Sequence, residues 1–170
     1  IGDPNPDFTY GINTSFRLKN WMLSLNFTGS YGNDIFNVNE VMNTDVSNLG
    51  INVRKEAYYN AWTSENMSQK YPGLGKQDGF DLAVISDRNV EDGSYLRLSN
   101  VNLSYDIPMK KGSFVKGITV GLSGSNLWIW TNYSGFDPDV NSYGSVKRKG
   151  ADMGAYPSAR TFAFNAKFTF

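Results

Sequence analysis

The side chains that most often carry out catalysis are scarce in this sequence. It has no histidine and no cysteine, which excludes Ser-His-Asp triads, thiol nucleophiles, imidazole metal sites and zinc thiolates. A glycosidase would need two carboxylates held at a fixed separation. Nothing in the sequence fixes such a spacing for the loop carboxylates Asp78, Asp81, Asp87, Glu91 and Asp92. We therefore predict no enzyme activity, no catalytic residue and no cofactor.

A second candidate is the segment from Asp137 to Asn141, where oxygen-bearing side chains alternate as they do in calcium loops. An EF-hand loop requires Gly at its sixth position and Glu at its twelfth. Those positions hold Ser142 and Arg148 here. A proline-centred turn is the better interpretation, and no metal site is predicted.

Aromatic side chains are the remaining candidates for chemistry, because 15% of the residues are Phe, Trp or Tyr. A flat apolar ring beside Asn or Asp can bind a sugar or a peptide. Packing of loop against loop would explain the same residues equally well. The aromatic residues in question are Trp62, Trp128, Trp130, Tyr133 and Tyr143.

Alternating hydrophobicity predicts the strands that position these side chains. Strands are expected near residues 8–19, 21–36, 94–107, 117–131 and 156–170. The phase slips between Leu98 and Val101, which predicts a β-bulge around Ser99 and Asn100.

The connections alternate between short and very long, a pattern typical of outer-membrane barrels. They are short at 19–20 and 108–117, and long at 37–93 and 132–155. The polar positions of the strands are mostly Ser, Thr, Asn and Gly, which suits a water-filled lumen. Helical spacing of Val53, Ala57, Ala61 and Trp62 predicts a short helix in the first long loop, with Asn52 as its cap.

The fold class that follows is all-β, an antiparallel transmembrane β-barrel segment with a short helix in a long extracellular loop. No apolar run has the length of a membrane helix, and the mean hydropathy is -0.41. A barrel strand meets lipid only at every second residue, so these values do not argue against a barrel.

Aromatic residues near strand ends fit the girdles of such a barrel. The alternative interpretation is that these aromatic residues form the core of a β-sandwich. The expected girdle residues are Trp21, Tyr31, Tyr105 and Phe170. The alternating aromatics of the last strand also resemble a barrel-assembly signal, although a plain final strand would look the same; they are Phe162, Phe164, Phe168 and Phe170.

Six segments in sequence order resemble the SusC/RagA-type TonB-dependent transporters. They read GDPNPDFTYG at 2–11, GSYGNDIFN at 29–37, AWTSEN at 61–66, YLRLSNVNLSY at 95–105, YSGFDPDVN at 133–141 and YPSARTF at 156–162. Ser64 departs from the family, which often has Pro there. The resemblance implies a plugged barrel of about 22 strands, of which residues 1–170 would supply about the last five, without the plug domain.

The resemblance also implies a function: import of oligosaccharides or peptides across the outer membrane of a Gram-negative cell. The implied partners are the rest of the barrel with its plug, the TonB complex, a SusD-like lipoprotein and membrane lipid. Candidate substrate contacts are Trp130, Tyr133 and Arg160, near the extracellular ends of the last two strands. Sixteen basic and sixteen acidic residues balance, so no nucleic acid is expected. The alternative is a soluble, secreted β-sandwich that binds carbohydrate.

Overall fold

A computed structural model describes residues 1–44, 52–67, 70–71, 73, 86–110, 112, 114–140 and 149–170. The chain divides into two compact units. The sheet unit comprises residues 6–32, 94–132 and 157–170, and the loop unit comprises residues 1–5, 33–93 and 133–156. The elements in chain order are β1 Phe8–Leu18, β2 Trp21–Tyr31, β3 Asp34–Asn37, α1 Val38–Thr44, α2 Lys55–Tyr59, a 3-10 turn Asp87–Asn89, β4 Val90–Asp92, β5 Tyr95–Ile107, β6 Gly117–Thr131, β7 Ala151–Asp152 and β8 Thr161–Thr169.

The sheet unit is one five-stranded antiparallel sheet in the order β1-β2-β5-β6-β8. Each strand pairs with the sheet strand that precedes it in the sequence, so the sheet is a simple meander. The first hairpin closes in two residues, with Leu18 opposite Trp21 and Lys19 in the left-handed region at φ 52°. Such a tight turn suits the right-handed twist of the flanking strands. The predicted all-β antiparallel fold is confirmed.

The predicted β-bulge in β5 is also confirmed. Leu98 pairs with Phe27 and Asn100 with Asn26, so Ser99 is the extra residue between two paired positions. The inserted residue restores the phase: the apolar residues before and after it then face the same side of the sheet. The predicted alternation therefore continues across the whole of β5.

The loop unit contains a three-stranded sheet in the order β4-β3-β7, in which β3 pairs antiparallel with β4 and parallel with β7. Its core is Ile35, Tyr133 and Val140, with Ala155 packed against them. The Asn37 side chain accepts a hydrogen bond from the Glu40 amide, which caps α1.

The structure differs from the sequence-based boundaries in three places. The expected strand 21–36 ends at Tyr31, because Gly32 has φ 85° and breaks the extended backbone; β3 follows in a different sheet. The expected helix is only α2, with Arg54 rather than Asn52 at its N-cap and Asn60 at its C-cap. The last strand starts at Thr161 rather than near residue 156.

One further helix, α1, was not predicted. Its seven residues are too short for a hydrophobic period to be recognised. Among the described residues, no helix is long and apolar enough to cross a membrane.

Candidate functional site

One face of the five-stranded sheet is apolar on every strand. Directly paired residues share a face, and the register forms a continuous apolar row across all five strands: Phe16, Leu23, Leu103, Leu122 and Phe164. Three of these side chains are exposed, and Leu23 and Leu103 between them are partly exposed. Phe16 is 59% exposed, Leu122 60% and Phe164 70%. A contiguous apolar surface of this extent marks a membrane or protein interaction site.

The opposite face of the sheet is polar and almost uncharged at its centre. One register row runs through Asn13, Asn26, Asn100, Ser125 and Thr161. The Ser125 hydroxyl donates to the Asn100 side-chain oxygen at 3.0 Å. An open depression of about 400 Å³ borders this face at Asn13, Asn26 and Asn100. Amide and hydroxyl groups can hydrogen-bond with water or with a hydrated solute, without the strong hold of a charge.

Aromatic side chains stand at both ends of the apolar face. At the end with short connections, Trp21 is paired with Tyr105, and their ring centroids are 4.6 Å apart. Phe170 contacts Phe114 at the same end, with a centroid separation of 5.5 Å. At the other end Tyr31 stacks on its partner Phe8 at 5.3 Å. All four expected girdle residues therefore lie at ends of the sheet. The assembly-signal residues Phe162, Phe164 and Phe168 lie on β8, where all three are exposed.

The structure does not place Trp130 where a substrate contact would be expected. Trp130 pairs with Leu96 and Trp128 with Leu98, so both tryptophans lie on the apolar face. Their ring centroids are 6.4 Å apart. Trp130 therefore lies among the aromatic residues of the apolar face, and its role as a substrate contact stays a prediction.

Tyr133 lies in the core of the loop unit and is only 5% exposed. Its hydroxyl donates to an Asp152 carboxylate oxygen at 2.6 Å. Burial, followed by the hydrogen bond to Asp152, raises the pKa of Tyr133 far above its ordinary value. A ring buried to this extent offers no face to a substrate, so the structure argues against the predicted contact. Arg160 is exposed directly before β8, and the structure does not bring the three candidates together.

A charged residue of the polar face was missed by the sequence analysis. Arg97 pairs with Thr28 on that face, and it is only 7% exposed. Its guanidinium lies 5.4 Å from the ring centroid of Tyr95, within the range of a cation–π contact. The signal was available, because Arg97 is the only basic residue among the polar positions of β5.

A second missed feature is the Glu91 carboxylate in the loop unit. It accepts hydrogen bonds from the Ser134 amide at 2.7 Å, the Ser134 hydroxyl at 2.8 Å and the Asn37 side chain at 2.9 Å. Three donors from two other segments of the chain meet on this one carboxylate. Glu91 therefore holds loop segments together.

The remaining candidate segments have structural explanations or lie outside the described residues. Asp137 accepts a hydrogen bond from the Asp139 amide at 3.0 Å, which forms a turn. Among the residues that the structure describes, no group of three or more Asp or Glu side chains could hold a metal ion. Residues 141–148, which include Tyr143, lie outside the described residues, as do Asp78 and Asp81.

No family model matches the sequence. Two curated proteins of Formosa agariphila align with 100% of the chain: TonB-dependent receptor P3, 33% identical over 181 residues, and TonB-dependent receptor P26, 31% identical over 176 residues. The RagAB peptide importer is similar in structure, with 26% identity over 98% of the chain. The TM-score is 0.80 for its "open-open" state and 0.81 for its "closed-closed" state.

Over its whole length the chain is therefore similar to TonB-dependent receptors, and its structure is similar to that of an importer of the SusC/RagA type. The chain spans 17% and 18% of the two curated relatives, and 17% and 18% of the two importer chains. The open sheet of this chain is therefore a segment of a β-barrel, as the alternating strands predicted.

Proposed function

We propose that this chain is part of the wall of a TonB-dependent importer for oligosaccharides or peptides in the Gram-negative outer membrane. The apolar face of the sheet meets lipid, and the polar face lines the lumen. The observation that carries this proposal is the apolar face itself, which crosses all five strands and has exposed side chains at Phe16, Leu122 and Phe164.

The length of the strands supports a membrane location. The five strands have 9 to 15 residues, and a tilted strand needs about 9–11 to cross the hydrocarbon core. Aromatic pairs at both ends of the apolar face would lie at the two membrane interfaces, where amphipathic rings are favoured. Trp21, Tyr31, Tyr105 and Phe170 are then girdle residues, as is Trp130.

The edges of the sheet support further strands as partners of this chain. Within the described residues, β1 and β8 each pair with one strand of the sheet only. Unpaired strand edges are not tolerated in lipid, because their amide and carbonyl groups lose water without gaining partners. We propose that further barrel strands and a plug complete the wall, that TonB acts through the plug, and that a SusD-like lipoprotein covers the extracellular side. The similar importer acts on peptides, which makes peptides one of the two substrate classes to test.

The alternative function, a soluble carbohydrate-binding β-sandwich, requires a second sheet packed on the apolar face. Among the described residues no such layer covers that face, since Phe162 is 79% exposed, Phe164 70% and Leu122 60%. No observation therefore favours the sandwich over the barrel wall.

The test is the behaviour of the native polypeptide that carries this sequence. We expect it to be extracted from isolated outer membranes only by detergent, with an intact mass several times the 19.0 kDa of the chain. A soluble 19.0 kDa species that needs no detergent would refute the proposal.

Arg160 remains the exposed candidate for substrate contact, and its role is a separate proposal. We expect Arg160→Gln to reduce uptake of the transported substrate by the full receptor. A matched control is Arg17→Gln, which removes the same charge from the polar face at the opposite end of the sheet. Equal uptake by the Arg160→Gln variant and the unmodified receptor would exclude that contact.

A further inference from the structure

The net charge of the chain is zero, but the charged residues are distributed unequally between its two units. The sheet unit carries eight basic and two acidic residues, whereas the loop unit carries eight basic and fourteen acidic residues. Most basic residues of the sheet unit lie at the end with short connections. An excess of positive charge at one end of a membrane-spanning sheet favours anionic partners at that end.

Three exposed lysines lie in the short connections themselves: Lys19, Lys110 and Lys116. The two connections are neighbours, because the Asp106 amide donates to the Asn20 carbonyl at 2.8 Å. Within the described residues none of the three lysines forms an ion pair. Their ammonium groups are therefore available to a ligand.

An aromatic anchor accompanies these lysines. Phe114 lies between Lys110 and Lys116 in the same connection, and it is 83% exposed. Its ring contacts Phe170, whose position continues the apolar alternation of Phe164 and Phe168 on β8. The connection itself is tied to β8, because the Lys116 amide donates to the Thr169 carbonyl at 2.7 Å. Phe114 thus extends the apolar face beyond the end of the strands.

We propose that Lys19, Lys110 and Lys116, together with Phe114, bind the headgroups of anionic phospholipids at the membrane surface. An aromatic ring at the interface beside lysines that reach the headgroup phosphates is a combination that recognises an anionic lipid surface. The proposal rests on the proposed function, because it needs the apolar face to be inserted in a membrane.

The two faces of the sheet provide an internal control. Arg17 and Lys167 lie near the same end of the sheet, but they share the polar face with Ser15 and Asn165. In an inserted barrel these two side chains point to the lumen and cannot reach lipid. Removing their charges changes the net charge by the same amount as removing two lysines of the connection.

The experiment uses the full receptor in nanodiscs of phosphatidylcholine that contain photoactivatable phosphatidylglycerol, or in parallel photoactivatable phosphatidylcholine. Crosslinks to the segment 108–116 are mapped by mass spectrometry. We expect more crosslinks from phosphatidylglycerol than from phosphatidylcholine. The double variant Lys110→Gln, Lys116→Gln should lower the phosphatidylglycerol yield about five-fold per lysine, whereas Arg17→Gln, Lys167→Gln should leave it unchanged.

Two further measurements separate the contributions of charge and ring. High salt should reduce the preference for phosphatidylglycerol, because it screens exposed charges. Phe114→Ser should reduce crosslinks from both lipids, because the ring holds the connection at the interface. Equal yields from the two lipids, or an equal loss in both double variants, would overturn the lipid proposal while leaving the importer intact. A receptor that does not enter nanodiscs would overturn the proposed function and this proposal together.

Discussion

The assignment of lipid and lumen to the two faces can be tested with two adjacent residues of β6. Leu122 is 60% exposed on the apolar face and pairs with Leu103 and Phe164, whereas the next residue, Ser123, lies on the polar face. Leu122 is four residues beyond Ile118. At about 3.3 Å per residue and a tilt of roughly 40°, it lies about 10 Å inside an apolar band about 25 Å tall. It is therefore near the middle of the membrane.

A lysine near the bilayer midplane costs about 2–4 kcal/mol. We expect Leu122→Lys to lower the free energy of unfolding by that amount, and Ser123→Lys to change it by less than about 1 kcal/mol, because its ammonium group stays in water. The measurement is urea unfolding of the full receptor in phosphatidylcholine vesicles, followed by tryptophan fluorescence.

The matched design makes the result decisive in either direction. Both variants introduce the same side chain one residue apart, so the change in net charge is the same in both. Equal destabilisation by the two lysines would refute the assignment of the faces. A tolerated lysine at 122 combined with a strongly destabilising lysine at 123 would mean that the polar face is the buried one.

Three further predictions concern packing in each unit. Gly29→Ala should destabilise the sheet by about 1–3 kcal/mol, because a Cβ there would collide with the Tyr10 ring, whose hydroxyl donates to the Tyr95 carbonyl. The measurement is urea unfolding of the full receptor, and an unchanged unfolding midpoint would contradict the prediction. Tyr133→Phe should lower the free energy of unfolding of the loop unit by about 1–3 kcal/mol, since Asp152 loses a buried hydrogen-bond donor. The expected result is faster amide hydrogen exchange in residues 133–156, and exchange at the wild-type rates would contradict the prediction. Because burial raises the pKa of Tyr133, the folded chain keeps the proton of the Tyr133 hydroxyl above about pH 10, where the unfolded chain releases it. The stability of the loop unit should then fall by about 1.4 kcal/mol per pH unit above that value, and this dependence should be absent in Tyr133→Phe.

The sheet could be predicted from the sequence because a strand pattern repeats every two residues and needs no knowledge of distant contacts. The alternation in β1, β2 and β8 is nearly unbroken, and the phase slip in β5 located the bulge to two residues, Ser99 and Asn100. The face of Trp130 could have been predicted in the same way, since it has the same parity as Leu122. The proximity of Trp130 to a loop does not reveal its face, whereas its parity does.

The loop unit could not be predicted in the same way, because its contacts join segments that are far apart in the sequence. Tyr133 is in the same core as Ile35 and donates a hydrogen bond to Asp152. The Glu91 carboxylate accepts hydrogen bonds from Ser134 and Asn37. The strands β3 and β7 are four and two residues long and pair parallel across more than 100 residues. Neither length nor periodicity reveals such a pair.

The two units are expected to have different roles in the proposed importer, because their side chains differ in chemistry. The polar face of the sheet presents mainly neutral amides and hydroxyls, with few charges such as the largely buried Arg97. Neutral groups exchange hydrogen bonds with a hydrated solute at little net cost, so this face is not expected to hold such a solute tightly. The loop unit instead fixes its loops with buried hydrogen bonds such as Tyr133 to Asp152. Preorganised loops lose less entropy on binding, and discrimination among substrates is therefore expected from the loop unit rather than from the wall.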